Sequence, residues 1–251
     1  MFAGWEQSRL SESVTLTING QKYSAKKGKT ILQVASDNGI KIPTLCHHEE
    51  IEPYGACRLC IVEITRGTRT RIVTSCLYPV EDGLVVQTDS PAVVRNRKML
   101  LDLLLTRCSE NEVIRDLAGQ YGVKTSSFRE EYWEKHDCIV CGLCVRACEQ
   151  VVGVSAISLV DRGIHKEPKP PYLEKARDCI GCGSCYYVCP THAINMEDKN
   201  GVRRIDRWKV EFKLKKCSKC GIEWAPVAQL EYIRKKWNLP ADFFDICPNC
   251  K

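Results

Sequence analysis

Cysteines spaced C-x2-C-x2-C-x3-C occur at Cys138, Cys141, Cys144 and Cys148, and the same spacing returns at Cys179, Cys182, Cys185 and Cys189. No other feature restricts the chain so strongly. A loop with a cysteine at every third position turns three thiolates towards one point, which suits three irons of a cubane; the fourth iron needs a ligand from elsewhere. Where two such runs are paired, the fourth cysteine of each serves the other cluster. The spacing therefore predicts two 4Fe-4S centres. Cys138, Cys141, Cys144 and Cys189 would hold the first, and Cys179, Cys182, Cys185 and Cys148 the second. Zinc has no use for eight thiolates in this repeat. The copies part company after the fourth cysteine. Pro190 turns the chain away from its cluster, whereas Glu149 lets it run on, which marks an insertion of about thirty residues before Cys179. The tails stay related, for "SAIS" (155–158) answers "HAIN" (192–195).

Twelve of the 17 cysteines fall in C-x2-C sets, a pattern of metal ligation and not of disulfides. The first sixteen residues have no basic stretch followed by an apolar run, so a reducing, cytoplasmic compartment is expected. The 37 basic and 31 acidic residues of the 251-residue chain are interleaved, leaving a formal charge of +6 and no stripe for nucleic acid. The densest basic stretches, "RRIDRWK" (203–209) and "KLKKCSK" (213–219), read as solvated surface, or as a docking face for an acidic redox partner. The longest apolar run, 151–160, is far too short for a membrane span.

Upstream, Val14, Leu16 and Ile18 alternate with threonines before an Asn19-Gly20 turn, which predicts a hairpin over 13–25. Thr30 is placed to cap a helix with Ile31, Leu32, Val34 and Ala35 on its apolar face, ended by Gly39. Strands at 60–65, 71–76 and 84–88 follow, giving the order of a small β-grasp sheet on one helix. Cys46, Cys57, Cys60 and Cys76 lie in its loops, spaced C-x10-C-x2-C-x15-C. That spacing is looser than the plant-type pattern and leaves zinc open; the long loop through Gly55, on a β-grasp frame, predicts a 2Fe-2S cluster. A helix from Ser90-Pro91 to Arg107 carries Leu100, Leu101, Leu103, Leu104 and Leu105, and a second is expected from a Ser109/Glu112 capping box to Gly119 or Gly122. The C-terminal segment begins as a strand, "WKVEFKL", and contains an amphipathic helix, "LEYIRKKW", between Cys217-x2-Cys220 and Cys247-x2-Cys250. Four thiolates would close one tetrahedral site there, with zinc the expected metal and one rubredoxin-like iron the alternative.

The stretches "IPTLCHHEEIEPYGACRLCIVEI", "VEDGLVVQTDSP", "RKMLLDLLL" and "CIVCGLCVRACEQVVGVSAISLVDRG" resemble the N-terminal iron-sulfur region shared by complex I large subunits, iron-only hydrogenases, NAD-linked formate dehydrogenases and the small diaphorase subunit of bidirectional hydrogenases. The resemblance covers about residues 13–200. It implies an electron wire between a flavin subunit that handles a nicotinamide nucleotide and a separate catalytic centre. One departure stands out. The family usually carries a further 4Fe-4S centre on one histidine and three cysteines, but residues 100–135 offer only Cys108 and no histidine. That centre is expected to be absent, with Cys108 a buried small hydrophobe. His47, His48 and His136 stand near cluster cysteines and are read as supporting or surface residues.

The expected fold class is α+β: a β-grasp 2Fe-2S ferredoxin domain (13–90), a helical linker (91–135), a bacterial-type two-cluster 4Fe-4S ferredoxin domain (136–200) and a zinc-ribbon or rubredoxin-like module (205–251). No residue set for bond chemistry emerges: "GCGSCY" lacks the last glycine of a dinucleotide fingerprint, and no Walker motif, nucleophile elbow or zincin motif occurs. The expected role is an electron-transfer subunit partnered by a flavin/NAD(P)-binding subunit and a catalytic oxidoreductase subunit, with ferredoxin a further candidate. A nonenzymatic assembly or redox-sensing protein and a free ferredoxin-like carrier are the alternatives.

Overall fold

A computed structural model describes residues 13–128 and 136–251, and the chain divides into two compact units, one ending at Cys141 and the other starting at Gly142. In the first unit the alternation of β1 (Ser13–Ile18) sends Val14, Leu16 and Ile18 inward, and Asn19 and Gly20, both at positive φ, make the two-residue turn into β2 (Gln21–Lys26). Strands β3 (Ile61–Arg66), β4 (Arg69–Thr74) and β5 (Val85–Gln87) complete a sheet in the order β2-β1-β5-β3-β4. Only β1 and β5 run parallel, with Thr17 opposite Val85; a parallel pair needs a crossover, and helix α1 (Ile31–Asp37) lies in that connection. Thr30 and Gln33 form a reciprocal capping box at its start, and Ile31, Leu32, Val34 and Ala35 pack under the sheet.

Helix α2 (Pro91–Arg107) starts at the Ser90 cap with proline in its first turn. Its inward face is narrower than the run of leucines suggests: Leu101 and Leu105 are buried and Leu103 is exposed, because one helical face holds every third or fourth residue. Helix α3 (Glu112–Gln120) is capped by Asn111 and not by Ser109. The amide suits the position better than a hydroxyl, since Asn111 Oδ1 accepts from Ile114 N (3.3 Å) while Nδ2 donates to Asp137 Oδ1 (3.2 Å). Gly119 lies inside this helix, and the chain leaves it through Tyr121 and Gly122. Leu101, Leu105, Ile114 and Ala118 cover Leu45 and Leu59 of the cysteine-bearing loops. Burying each of these leucines and Ile114 contributes roughly 1.5–3 kcal/mol.

The second unit opens with helix α4 (Leu143–Arg146), which continues directly into a π-turn, Ala147–Val152. Strands β6 (Ser158–Val160) and β7 (Glu167–Lys169) form a hairpin, and helix α5 (Ser184–Tyr187) repeats the role of α4. Strands β8 (Met196–Lys199), β9 (Val202–Ile205), β10 (Val210–Lys216) and β11 (Glu223–Pro226) make a sheet in the order β11-β10-β9-β8, followed by helix α6 (Val227–Lys236). The "RRIDRWK" stretch is therefore not a solvated surface throughout. Strand alternation and the turn after it bury Arg203, Ile205 and Trp208, leaving Arg204 exposed. Arg203 is held by a two-pronged pair to Asp198 (both 2.7 Å) and donates Nη1 to Gly181 O (3.0 Å). Helix α6 turns Leu230 inward, and Tyr232 donates its hydroxyl to Val152 O (3.0 Å), tying the C-terminal segment to the π-turn.

Candidate metal centres

Three sets of cysteines can be judged by which sulfurs lie close together. In the first unit Cys46 lies in the loop after α1, Cys57 and Cys60 precede β3, and Cys76 follows β4. Arg58, at φ 59°, and Gly55, at φ 67°, bend the loop tightly; a Cβ on Gly55 would be strained at that φ and would meet Leu77 Cδ1 at 2.6 Å, which favours glycine. The four sulfurs fall into two pairs. Cys60 and Cys76 bring their Sγ atoms to 3.3 Å, and Cys57 shares a side-chain hydrogen bond with Cys46, whose sulfur also accepts from Cys57 N (3.4 Å). Within each pair one thiol bonds the sulfur of the other, so their acidities split: the bond to Cys46 raises Cys57, the bond to Cys60 raises Cys76, and the bond from Cys76 pulls Cys60 down to about 6. One zinc would need all four sulfurs about 3.8 Å apart, the edge of a tetrahedron with 2.3 Å bonds. Two pairs instead fit two irons with two thiolates each, the arrangement a 2Fe-2S rhombus requires.

The buried Arg97 of α2 stiffens this loop. Its guanidinium, 1 % exposed, donates Nε to Leu59 O (3.0 Å) and Nη2 to Ile61 O (2.6 Å), the two carbonyls flanking Cys60. Nη1 reaches Asp89 Oδ1 (3.0 Å) and Tyr121 OH (3.2 Å). Nothing in the local pattern around Cys60 announces an arginine 36 to 38 residues downstream.

The C-terminal four behave differently. One ligand sulfur each from Cys217, Cys220, Cys247 and Cys250 lies within 4.8 Å of all the others, and among the described residues no other group of three or more does so. Cys220 and Cys247 Sγ stand 3.8 Å apart, a tetrahedral edge. Knuckle turns aim backbone N–H groups at the sulfurs: Cys247 N donates to Cys217 Sγ (3.3 Å), and this bond is the first cause that draws the Cys217 thiol down to about 6. A single-ion site of four cysteines suits zinc or iron.

In the second unit Cys148, Cys179, Cys182 and Cys185 line one cavity together with Ala156, Ile157, Ile205 and Trp208. A cysteine of the first run thus shares a chamber with the first three of the second run. Burial pushes Cys179 up to about 11 and Cys185 up to about 12, as expected for thiols gathered in an apolar chamber. Cys148 and Cys189, the fourth members, are treated alike: Ala156 N donates to Cys148 Sγ and Ala193 N to Cys189 Sγ, each at 3.3 Å. The donor lies eight residues on in the first copy and four in the second. The π-turn accounts for this difference, with Gly153, Val154 and Ser155 N–H groups converging on Cys148 O, a turn Glu149 permits and Pro190 forbids. Of the first predicted set, Cys138 and Cys141 end the first unit, where Arg107 Nε donates to Cys138 O (2.8 Å), and Cys144 and Cys189 belong to the second.

Cys108 caps the end of α2, is 1 % exposed within an apolar cluster, and is pushed up to about 12 by that burial. His48 is exposed and accepts from Glu50 N, and His47 and His136 are half-buried. The residues that sequence reasoning overlooked are Arg97, Trp208 and Arg203. Trp208 donates Nε1 to Cys185 Sγ (3.2 Å), and Arg203 fixes the Gly181 carbonyl inside the second cysteine loop. The period-two alternation of a strand at 202–205 was the one available signal.

Known families match the chain in three places. Residues 11–91 match the 2Fe-2S iron-sulfur cluster binding domain, and residues 133–196 and 178–222 match two 4Fe-4S dicluster domain families. A NADH-quinone oxidoreductase subunit of Rhizobium meliloti is 32% identical over 205 residues, covering 72% of this chain and 24% of that protein. A NADH-quinone oxidoreductase subunit of Rickettsia bellii is 30% identical over 204 residues, covering 72% and 30%. The alpha subunit of a NADPH-Fe(3+) oxidoreductase of Geobacter sulfurreducens is 32% identical over 204 residues, covering 71% and 23%. The chain therefore spans about a quarter to a third of the length of these curated relatives. The crystal structure of a NAD+-reducing NiFe-hydrogenase in the H2-reduced state contains a chain that superposes with a TM-score of 0.63 at 29% identity, over 72% of this chain and 86% of that one.

Proposed function

Starting from a chain that carries 2Fe-2S and 4Fe-4S binding domains and is homologous to subunits of NADH-quinone oxidoreductase and to a chain of a NAD+-reducing hydrogenase, we propose a single-electron relay between a flavin/NAD(P)-handling subunit and a separate catalytic centre. The carrying observation is the cavity that joins Cys148 to Cys179, Cys182 and Cys185, because interleaved ligands are what two neighbouring centres of a relay require. When bound, iron-sulfur centres take up and give up one electron at a time. Cys46 with Cys57 and Cys60 with Cys76 hold the 2Fe-2S centre in this reading; Cys148, Cys179, Cys182 and Cys185 hold one 4Fe-4S centre. Cys138, Cys141, Cys144 and Cys189 hold the other, a reading that stands on their spacing alone. Cys217, Cys220, Cys247 and Cys250 hold zinc as a staple. The domain limits read from the sequence, 13–90, 91–135, 136–200 and 205–251, are proposed with it. Among the described residues no helix is long and apolar enough to cross a membrane.

The test is metal and acid-labile sulfide per chain on protein purified without air. About ten irons, ten sulfides and one zinc are expected. An extra iron without sulfide, in place of zinc, would make the tail a redox site. Several zincs with little sulfide would overturn the relay. Reduction of the loaded protein by NADH or NADPH, only in the presence of a flavin subunit, then tests the direction of supply.

A further inference from the structure

The cavity lined by Cys148, Cys179, Cys182 and Cys185 receives a side chain that does not come from a cysteine loop. Trp208 ends the turn Asp206–Trp208 between β9 and β10, is 1 % exposed, and lines that cavity. Burial of an indole requires only some acceptor for its N–H. Here Nε1 is aimed at Cys185 Sγ, 3.2 Å away. The other polar contacts of the set are local and include Ala156 N to Cys148 Sγ (3.3 Å), Ser184 Oγ 3.4 Å from Cys182 Sγ, and backbone bonds from Ser155 and Ile157 to Cys148 and from Gly181 to Cys179. Trp208 is different in origin, since it reaches Cys185 from 23 residues away, and its ring packs with Ile205 and Val210 on the same core.

We propose that Trp208 is a positioning residue that raises the reduction potential of the 4Fe-4S centre held by Cys148, Cys179, Cys182 and Cys185. The physical reason is charge. Reduction adds an electron to a cluster whose ligands are already anionic, and a hydrogen bond to an ionised acceptor is about twice as strong as a neutral one. An N–H fixed on a ligand sulfur therefore stabilises the reduced state more than the oxidised state. The proposal rests on the ligand assignment made above for this centre.

Trp208→Phe keeps an aromatic ring in the wall and deletes the donor. The matched control is Trp224→Phe: Trp224 Nε1 is buried with no hydrogen-bond partner, so its removal breaks no bond to a cluster ligand. Potentials are read by anaerobic titration of the full chain, followed by electron paramagnetic resonance. In Trp208→Phe the equilibrium constant for reducing the second centre should fall about threefold to tenfold, a tenfold change being about 59 mV for one electron, while Trp224→Phe leaves it in place. A second readout is independent of the variant's folding: protein labelled with 15N in the indole should show a nitrogen coupling on the reduced second centre. An unchanged potential in Trp208→Phe with both 4Fe-4S signals intact overturns the proposal. Should that variant lose the centre, the 15N coupling in the unsubstituted protein decides, its presence supporting the proposal and its absence overturning it. A wild-type protein with only one 4Fe-4S signal would refute the ligand assignment itself, a failure distinguishable from the others.

Discussion

Replacing Arg97 by methionine should loosen the 2Fe-2S loop more than any charge-pair argument allows. The substitution keeps an unbranched side chain in the cavity but removes the donors to Leu59 O and Ile61 O, both in buried residues. Each orphaned buried carbonyl costs about 1–3 kcal/mol. The contact with Asp89 adds little, for the Asp89 side chain is 64% exposed and such pairs contribute about 0–1 kcal/mol. Relief of the desolvated guanidinium charge offsets part of the sum, leaving a net loss of about 2–4 kcal/mol. At about 2.1 cal/mol/K per residue, a unit of this size loses roughly 4 °C of melting temperature per kcal/mol, so a drop of about 8–16 °C follows. The assay is an anaerobic melt followed by visible circular dichroism of the 2Fe-2S centre, at one scan rate. Asp89→Asn should stay within about 4 °C of the unsubstituted protein. Arg97→Lys should fall between, because an ammonium can meet a carbonyl but cannot fork across two. Equal losses for Asp89→Asn and Arg97→Met would refute the reasoning, since the ion pair, not the carbonyl clamp, would then hold the loop.

Gly181→Ala should empty the second 4Fe-4S site: at φ +73° its Cβ would meet Phe212 Cδ2 at 2.6 Å, and analysis should find about four irons fewer per chain with the 2Fe-2S spectrum retained. Cys250→Ser should reduce zinc from about one per chain to near zero while iron stays near ten; loss of iron in step with zinc would count against a separate tail site. The hydrogen bonds from Arg203 hold the Asp198 carboxyl below its ordinary 3.8. A carboxylate depressed by folding contributes stability that is present above its unfolded value and lost as pH falls through the lower folded one. Asp198→Asn should therefore be less stable at neutral pH and lose less on acidification below about pH 4, and parallel acid limbs for the two proteins, followed by Trp fluorescence, would exclude this role for the pair.

What could be read before the structure was whatever depends on nearby residues. The Asn19-Gly20 turn and the Thr30 cap are local, and each predicted its element; the Gln33 half of the capping box emerges only in the structure. The hairpin at Asn200-Gly201, both residues at positive φ, carries the same local signal and went unread beside the basic residues around it. Contacts across the chain were out of reach. Asn111 outcompetes Ser109 as a cap because Asp137 waits for its amide, 26 residues away. Spacing alone left zinc open at Cys46, Cys57, Cys60 and Cys76, and the β-grasp frame was needed to favour 2Fe-2S there; the sulfur distances now separate two pairs from the single cluster of four in the tail. The exchange of Pro190 for Glu149 was legible as an insertion, and the structure narrows its immediate effect to one extra turn before Ala156.

The shared chamber of Cys148 with Cys179, Cys182 and Cys185 also orders the birth of the protein. Domains emerging from the ribosome fold from the N-terminus onward. The four cysteines proposed for the 2Fe-2S site are all synthesised once residue 76 has passed, and the central strand β5 and the Arg97 clamp that hold their loop follow by residue 97, so that site can be completed while the rest is still being translated. Cys148 has no such freedom. With the ligands proposed above, it waits, reduced and unligated, until Cys185 arrives, and a scaffold protein or chaperone that delivers cubanes would have a complete receptor only on a nascent chain grown past that point.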